Sequence, residues 1–368
     1  MEWFNVDRAG LVAQLERRGK SFAVFELVQN AWDSGSPSVA VVLAPIPSSP
    51  YALLSVEDWS PAGFADLEHS YTMFAPSSSG TDPSKRGRFN LGEKTVIALC
   101  REAEIISTTG SVKFDDAGRT RGRKTRELGT MFVGEIRMTR AELEAATADV
   151  ARLIPPVPTA FNGQAIERPA LLRSFVAALP TEYVLDGVWK RAVRKCTVEL
   201  YAADGPGEIL ELGIPVVEAE IGYRVNVLQK IPLGPDRDNV TPAFLKALRV
   251  AVVNEMHADL PAETASEGWV QEVAADARIA PDAFGSIFQK RFGAKAVVAT
   301  VGDPIANAQA EAAGFTVVHG GAMPSGAWAN ARKFQTVLPA SQVFPSMTPE
   351  QRAAVAAAQQ SKCPACGK

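Results

Sequence analysis

Glu26-Leu27-Val28-Gln29-Asn30-Ala31-Trp32-Asp33 is the stretch on which the reading of this chain turns. It lies in a run, 21–34, whose apolar residues Phe22, Val24, Phe25, Leu27, Val28 and Ala31 cover much of a helical circumference. Ser21 is placed to cap the start of that helix and Gly35 to end it. Glu26, Asn30 and Asp33 interrupt the apolar surface at i, i+4 and i+7, which puts them on one face. A polar stripe on so apolar a helix is either its solvated side or the wall of a site.

Three features further along bear on that choice. Val56-Glu57-Asp58-Trp59-Ser60-Pro61-Ala62-Gly63-Phe64 is an apolar strand that delivers a carboxylate into a Pro/Gly turn. A carboxylate at a strand end can accept from a ligand amine, and such a turn lets a flat ring approach the backbone. Lys85-Arg86-Gly87-Arg88-Phe89-Asn90-Leu91-Gly92-Glu93-Lys94-Thr95 is a basic, glycine-bearing loop that runs into a helix starting near Gly92. Backbone N–H groups at a helix N-terminus beside cations cradle phosphates, although the spacing is not that of a Walker A loop. Gly129-Thr130 opens a strand with a small hydroxyl that can touch a ligand directly or through water.

In this order the motifs resemble those of the GHKL ATPase superfamily, the Bergerat fold, which includes the gyrase B subunit, the mismatch-repair protein MutL, heat-shock chaperone ATPases and histidine kinases. The resemblance covers about 20–140. Residues 26–33 are similar to the family's E-L-x-x-N-A-x-D box, Asp58 to Gly63 to its D-x-G-x-G box, Gly87 to Gly92 to its G-x-x-G-x-G lid box, and Thr130 to its last-box threonine. The chain departs from the pattern twice. Ser60 stands at the first glycine of the aspartate box, with Gly63 displaced by one residue. Asn90 stands where the lid has a glycine, and Asn tolerates left-handed backbone better than most residues.

The resemblance implies an α/β (α+β sandwich) chain: a Bergerat-type mixed sheet with helices on one face, a transducer-like α/β module and a small C-terminal α/β unit. It implies ATP and Mg²⁺ as ligands. Asn30 would coordinate Mg²⁺, and Glu26 would orient and deprotonate the attacking water. Asp58 would accept the adenine amino group, supported by Gly63 and Thr130. Gly87, Arg88, Leu91 and Gly92 would wrap the phosphates, with Lys94 nearby, and Asp33 would help fix the Asp58 turn. Glu26 favours the gyrase B, MutL and chaperone branch over histidine kinases, which need no water-activating glutamate there. In the gyrase and MutL branch a following domain supplies a lysine to the γ-phosphate. Lys230, after a strand at 223–228, is either that residue or a surface lysine.

The implied activity is Mg-dependent ATP hydrolysis that closes the 72–91 loop and moves the following module, acting on DNA or a protein client. The alternative is a nucleotide-gated sensor with little or no turnover; Glu26 argues against it and the displaced glycine for it. A structural α/β protein with accidental motifs is the third reading. Relatives dimerise on ATP through an N-terminal strap, and Trp3 and Phe4 are placed either for such a homodimer contact or as ordinary core.

The bulk numbers fit these readings. The chain has 368 residues, 46% hydrophobic and 21% charged, with a net charge of −3, so no global charge argues for nucleic acid. No run has the length of a membrane span, and the N-terminus lacks a basic leader and an apolar core, so the expected compartment is the cytoplasm, with no membrane partner. Four cysteines give no disulfide framework. Cys363 and Cys366 supply half a zinc site; either Zn²⁺ ligands lie beyond Lys368 or on another chain, or these thiols are free.

The Pro155-Pro156-Val157-Pro158 boundary and the composition of the tail divide the chain at 1–154, 159–262, 263–340 and 341–368, and the resemblance implies an ATP-binding domain at 1–154 and a transducer-like domain at 159–262, followed by a small α/β unit and a tail. Strands are expected at 38–43, 51–56, 103–108, 111–114, 130–138, 196–201, 208–212, 216–220 and 223–228, and helices at 141–153 and 242–257. A β-α-β pattern is expected at 296–318, without the glycine fingerprint of a dinucleotide site. The run 119–126 holds five basic residues in eight. It reads as a solvated hairpin loop or as a contact for an acidic partner or phosphate.

Overall fold

The computed structural model describes residues 7–17, 19–64, 66–75, 81–88, 90–185, 188–234 and 239–360. Trp3, Phe4, Cys363 and Cys366 lie outside them. The chain divides into two compact units, Met1–Thr241 and Pro242–Lys368.

The first unit is mixed α/β, as the sequence implies, and holds two sheets. The larger is built from β1 (Val39–Pro45), β2 (Tyr51–Asp58), β3 (Cys100–Ser107), β4 (Gly110–Asp115), β5 (Gly118–Gly122), β6 (Thr130–Arg137), β7 (Thr159–Phe161) and β8 (Gln164–Ala165). Their order is β5-β4-β3-β6-β2-β1-β7-β8. Every pair is antiparallel except β1 with β7. Helices α1 (Arg8–Glu16), α2 (Ser21–Asp33), α3 (Gly92–Leu99) and α4 (Arg140–Val150) share one core with this sheet. Val24 and Val28 of α2, Val96 of α3 and Val150 of α4 pack with Leu54, Ile105 and Ile136 of the sheet. Burying each such side chain contributes roughly 1.5–3 kcal/mol. Strand β2 alternates half-buried and buried residues along its whole length, the period-2 signature of a strand with one face on a core.

The second sheet contains β9 (Leu171–Leu185), β10 (Val188–Ala202), β11 (Glu208–Glu211), β12 (Ile214–Glu218) and β13 (Tyr223–Val227), in the order β12-β11-β13-β10-β9. It is joined to the α4 end of the first layer: the Ile154 N–H donates to Gly213 O at 2.9 Å, and Ile214 reaches the larger core.

Three local expectations change. Lys20, not Ser21, stands at the N-cap of α2, because the Ser21 hydroxyl donates to Asp149 of α4. The basic run is not a plain loop, since its first half is edge strand β5. Three of its cations are engaged internally: Arg119 lies 3.7 Å over the Tyr71 ring, Lys124 pairs with Glu104 at 2.8 Å, and Arg126 pairs with Glu57. Strand β9 was not expected at all. It carries Pro180 in mid-strand, which is tolerated because β9 is the outer strand of its sheet.

The second unit contains α5 (Pro242–Met256), α6 (Gly268–Ala274), α7 (Pro281–Phe292), β14 (Ala296–Val298), α8 (Pro304–Ala312), β15 (Thr316–Val318), α9 (Ser325–Phe334), α10 (Ala340–Val343) and α11 (Pro349–Gln360). The expected β-α-β pattern is there, with β14 and β15 parallel. Asp303 caps α8, accepting from the Ala306 N–H at 3.0 Å. Among the described residues no helix is long and apolar enough to cross a membrane.

Candidate functional site

A cavity of about 320 Å³ lies between α2, the start of α3 and strands β2, β3 and β6. Its wall includes Glu26, Asn30, Asp33, Asp58, Gly63, Gly87, Arg88, Leu91, Gly92 and Thr130. These come from four motifs spread over more than a hundred residues of sequence. The α2 stripe is therefore a cavity wall and not a solvated face, and Glu26 is only 8% exposed. Lys94 and Lys230 stand off the wall.

At the sheet end, strand β2 ends in Asp58, whose carboxylate is held by backbone donors. Its Oδ1 accepts from the Ser60 N–H at 2.8 Å and lies 3.5 Å from the Ser34 hydroxyl. Its Oδ2 accepts from the Thr130 N–H at 3.2 Å. The Thr130 and Ser107 hydroxyls lie 3.2 Å apart, and Ser107 Oγ accepts from the Phe64 N–H at 2.6 Å. Gly129 permits this closure: it has φ +70, and a Cβ there would overlap the Asp58 carbonyl. The apolar floor is Val56, Ile105 and Phe132.

At the helix end, the Glu26 carboxylate packs against the first residue of α3. A Cβ on Gly92 would lie 2.5 Å from Glu26 Oε2, so glycine makes room for that carboxylate. Glu26 makes no hydrogen bond among the described residues. The Asn30 amide nitrogen donates to Glu93 Oε2 at 2.8 Å, and no described residue donates to its oxygen. No side chain caps α3, so its first-turn N–H groups keep their donor capacity. A neutral amide oxygen beside carboxylates suits a hard divalent cation, and uncapped N–H groups suit phosphate oxygens. The residues thus fit Mg²⁺ and a polyphosphate. Asn90 takes φ +51, the left-handed conformation that its place in the lid requires.

The basic loop is bound on both sides. Asp33 accepts from the backbone N–H groups of Gly87 at 2.9 Å and Arg86 at 3.3 Å. Burial pushes the Asp33 carboxyl up, against those two donors. Asp33 therefore fixes the loop, while Ser36 holds the Asp58 turn; Ser36 Oγ accepts from the Trp59 N–H at 2.8 Å. The Arg86 side chain donates to Gln29 Oε1 at 2.8 Å and pairs with Glu211 Oε2 at 2.7 Å. Arg88 pairs with both oxygens of Glu211 and with Glu182 at 3.2 Å, and donates to Ile231 O at 2.7 Å. Burial alone would raise the Glu211 carboxyl, but the charges of Arg88 and Arg86 outweigh it and hold it at about 2. Lys230 is fully buried beside this cluster, its Nζ donating to Asp82 O at 2.8 Å and its backbone N–H to Pro83 O at 2.8 Å. Burial, together with the Arg88 charge, pushes its ammonium down to about 8. Lys94 is turned to Glu93 at 2.7 Å and Asn90 at 2.9 Å.

Residues to which the sequence assigned no role also line the cavity: Ser34, Ser60, His69, Lys85 and Glu93. Lys85 is half-buried, and its ammonium has no hydrogen bond or ion pair among the described residues. It lies beside Asp33, whose charge it offsets. Its place two residues before Gly87, the first lid glycine, was the available signal. Among the described residues no three His, Cys, Asp or Glu side chains cluster as a metal cage.

No family model and no curated protein sequence matches this chain. Among solved structures, it is similar to the ATPase region of Saccharomyces cerevisiae topoisomerase II, at 10% identity and TM-score 0.40, over 66% of this chain and 85% of that one. The same region bound to ICRF-187 (dexrazoxane) gives 9% identity and TM-score 0.39, over 61% and 79%. The ATPase and transducer domains of DNA topoisomerase II from Balamuthia mandrillaris give 9% and 0.38, over 61% and 77%.

Proposed function

We propose that the first unit is a GHKL-type ATPase that binds Mg·ATP in this cavity and hydrolyses it. One observation carries the reading: ten residues from four separate motifs converge on one wall, with a carboxylate at one end and an uncapped helix start at the other. Asp58 takes the base amine, and the α3 N-terminus and Lys85 take the phosphates. Asn30, through its amide oxygen, holds Mg²⁺, which neutralises triphosphate charge. Glu26 meets the requirement for a general base: it is sheltered, lies against the phosphate-binding helix start and spends no acceptor on the described protein.

On this reading the larger sheet, β7 and β8 included, forms the ATP-binding domain with its helices and the second sheet forms the transducer-like one, in place of the expected bounds 1–154 and 159–262. Lys230 and Glu211 then tie the second sheet to the lid loop, so the state of the cavity is conveyed to that sheet. DNA or a protein client receives the motion, and an ATP-dependent homodimer is its natural assembly.

A sensor with little turnover is the second reading. It is favoured by the pairing of Arg86 and Arg88 with Glu211, which withholds both guanidinium groups from phosphate. Glu26→Ala separates the two. The ATPase reading expects a variant that binds Mg·ATP like the wild type while phosphate release falls at least about 100-fold, as loss of a general base implies. A wild type that binds ATP but releases no phosphate above background overturns hydrolysis and leaves the sensor.

A further inference from the structure

The Ser60 hydroxyl has no place in the roles assigned so far. Ser60 is 3% exposed and lines the cavity, and its Oγ is buried without a hydrogen-bond partner. A buried hydroxyl left unpaired costs roughly 1–3 kcal/mol, so a native site that keeps one has a partner for it. The position sharpens the point. The Ser60 N–H donates to Asp58 Oδ1, so carboxylate and hydroxyl belong to the same tight turn.

Asp58 keeps acceptor capacity on Oδ2. A carboxylate offers about four acceptor positions. The Ser60 N–H occupies one on Oδ1 and the Thr130 N–H one on Oδ2, while the Ser34 hydroxyl, 3.5 Å from Oδ1, gives its single proton to Ala31 O at 2.7 Å. One position on Oδ2 remains, enough for a single N–H. A base that presents an amino N–H beside a ring-nitrogen acceptor satisfies both groups: the amine donates to Asp58, and the hydroxyl donates to the ring nitrogen. Adenine presents that pair as its 6-amino group and N1. Guanine places a carbonyl oxygen where the amine should be, facing the carboxylate. The apolar floor of Val56, Ile105 and Phe132 suits a flat bicyclic ring.

We propose that Ser60 is a base-reading residue whose hydroxyl donates to N1 of a 6-aminopurine while Asp58 takes the amine. The inference rests on the nucleotide reading above. A turn about the serine χ1 moves the hydroxyl between staggered positions at small cost. The glycine that the related motif carries at this position has no such donor.

The test is calorimetric titration, with Mg²⁺, of ATP and of 1-deaza-ATP, in which a C–H replaces N1. Both are titrated into the wild-type chain and into Ser60→Ala. The wild type should bind 1-deaza-ATP about five- to tenfold more weakly than ATP, the worth of one neutral hydrogen bond. Ser60→Ala should bind ATP more weakly by the same factor and no longer distinguish the two nucleotides. Equal affinities on the wild type overturn the proposal without recourse to any variant. So does a Ser60→Ala chain that still discriminates as the wild type does. If the wild type binds neither nucleotide, the nucleotide reading itself fails and this inference with it.

Discussion

The two ends of the cavity are built on opposite principles. At the sheet end, one carboxylate is held by two backbone N–H groups, with acceptor capacity in reserve and a hydroxyl unpaired beside it. At the lid end, charges are spent on each other: Arg86 and Arg88 on Glu211, and Lys94 on Glu93. The first end is ready for a ligand as it stands. The second is wired into another sheet, and among the described residues Lys85, the Asn30 oxygen, Glu26 and the first turn of α3 keep capacity for one. Base recognition on the proposed reading therefore needs no more than a turn of the Ser60 χ1, whereas any phosphate contact by the lid arginines must break bonds to Glu211. If the proposed ATPase reading holds, the phosphate end is where binding can do mechanical work on the second sheet.

The strongest way to break the comparison is to remove Glu211. Glu211→Ala leaves the buried Arg86 guanidinium without a carboxylate and Arg88 with Glu182 alone, which costs about 3–5 kcal/mol. Urea unfolding of the first unit should show a loss of that size; an unchanged midpoint would mean that the ion pairs are incidental. The same carboxyl sets a pH dependence. Its folded value, about 2, lies below its ordinary 4.5. Its contribution is thus complete above pH 4.5 and is lost as the pH falls towards 2. The wild type should lose stability through that window, and Glu211→Gln should lose less.

Next in size is Gly129→Ala, which strikes the sheet end. A side chain at φ +70 that overlaps the Asp58 carbonyl should cost roughly 1–3 kcal/mol and weaken nucleotide binding together with stability. Binding that survives intact would show that the Asp58 turn need not be held as tightly as it is.

Lys85→Met has the smallest expected effect and sharpens the contrast most. It should weaken ATP binding about five- to tenfold while leaving adenosine binding unchanged, since it removes one phosphate-facing charge and no base contact. Equal losses for ATP and adenosine would remove Lys85 from the phosphate end.

Local signals made the sheet end and the α2 wall legible in the sequence. The Glu26/Asn30/Asp33 spacing, the Asp58 turn, the start of α3 at Gly92 and the left-handed Asn90 each follow from neighbours a few residues away. The lid end did not follow in the same way. Lys85, Arg86, Arg88 and Lys94 are equivalent cations in sequence; Lys94 is taken by its neighbour Glu93, but Arg86 and Arg88 are taken by Glu211, more than 120 residues away. Glu211 itself ends a four-residue strand, Glu208–Glu211, where nothing local marks it rather than Glu208 as their partner. Strand β9 was hidden for a different reason. Pro180 reads as a breaker, and only its place at the sheet edge makes it acceptable. Asp33 was legible as a site residue but not in its partner, because the loop that it holds comes from 53 residues further along.

The central claim is that Asn30 and its neighbours on α2 meet a metal-bound nucleotide. Thermal unfolding with and without Mg·ATP, on the wild type and on Asn30→Ala, tests it directly. Among the described residues the Asn30 side chain makes one hydrogen bond, to Glu93, so its loss should leave the fold intact. At a ligand concentration a hundred times the Kd, the wild type should gain about 2.7 kcal/mol. Asn30→Ala should lose most of that gain. No stabilisation of the wild type, or an undiminished gain in the variant, would contradict the account.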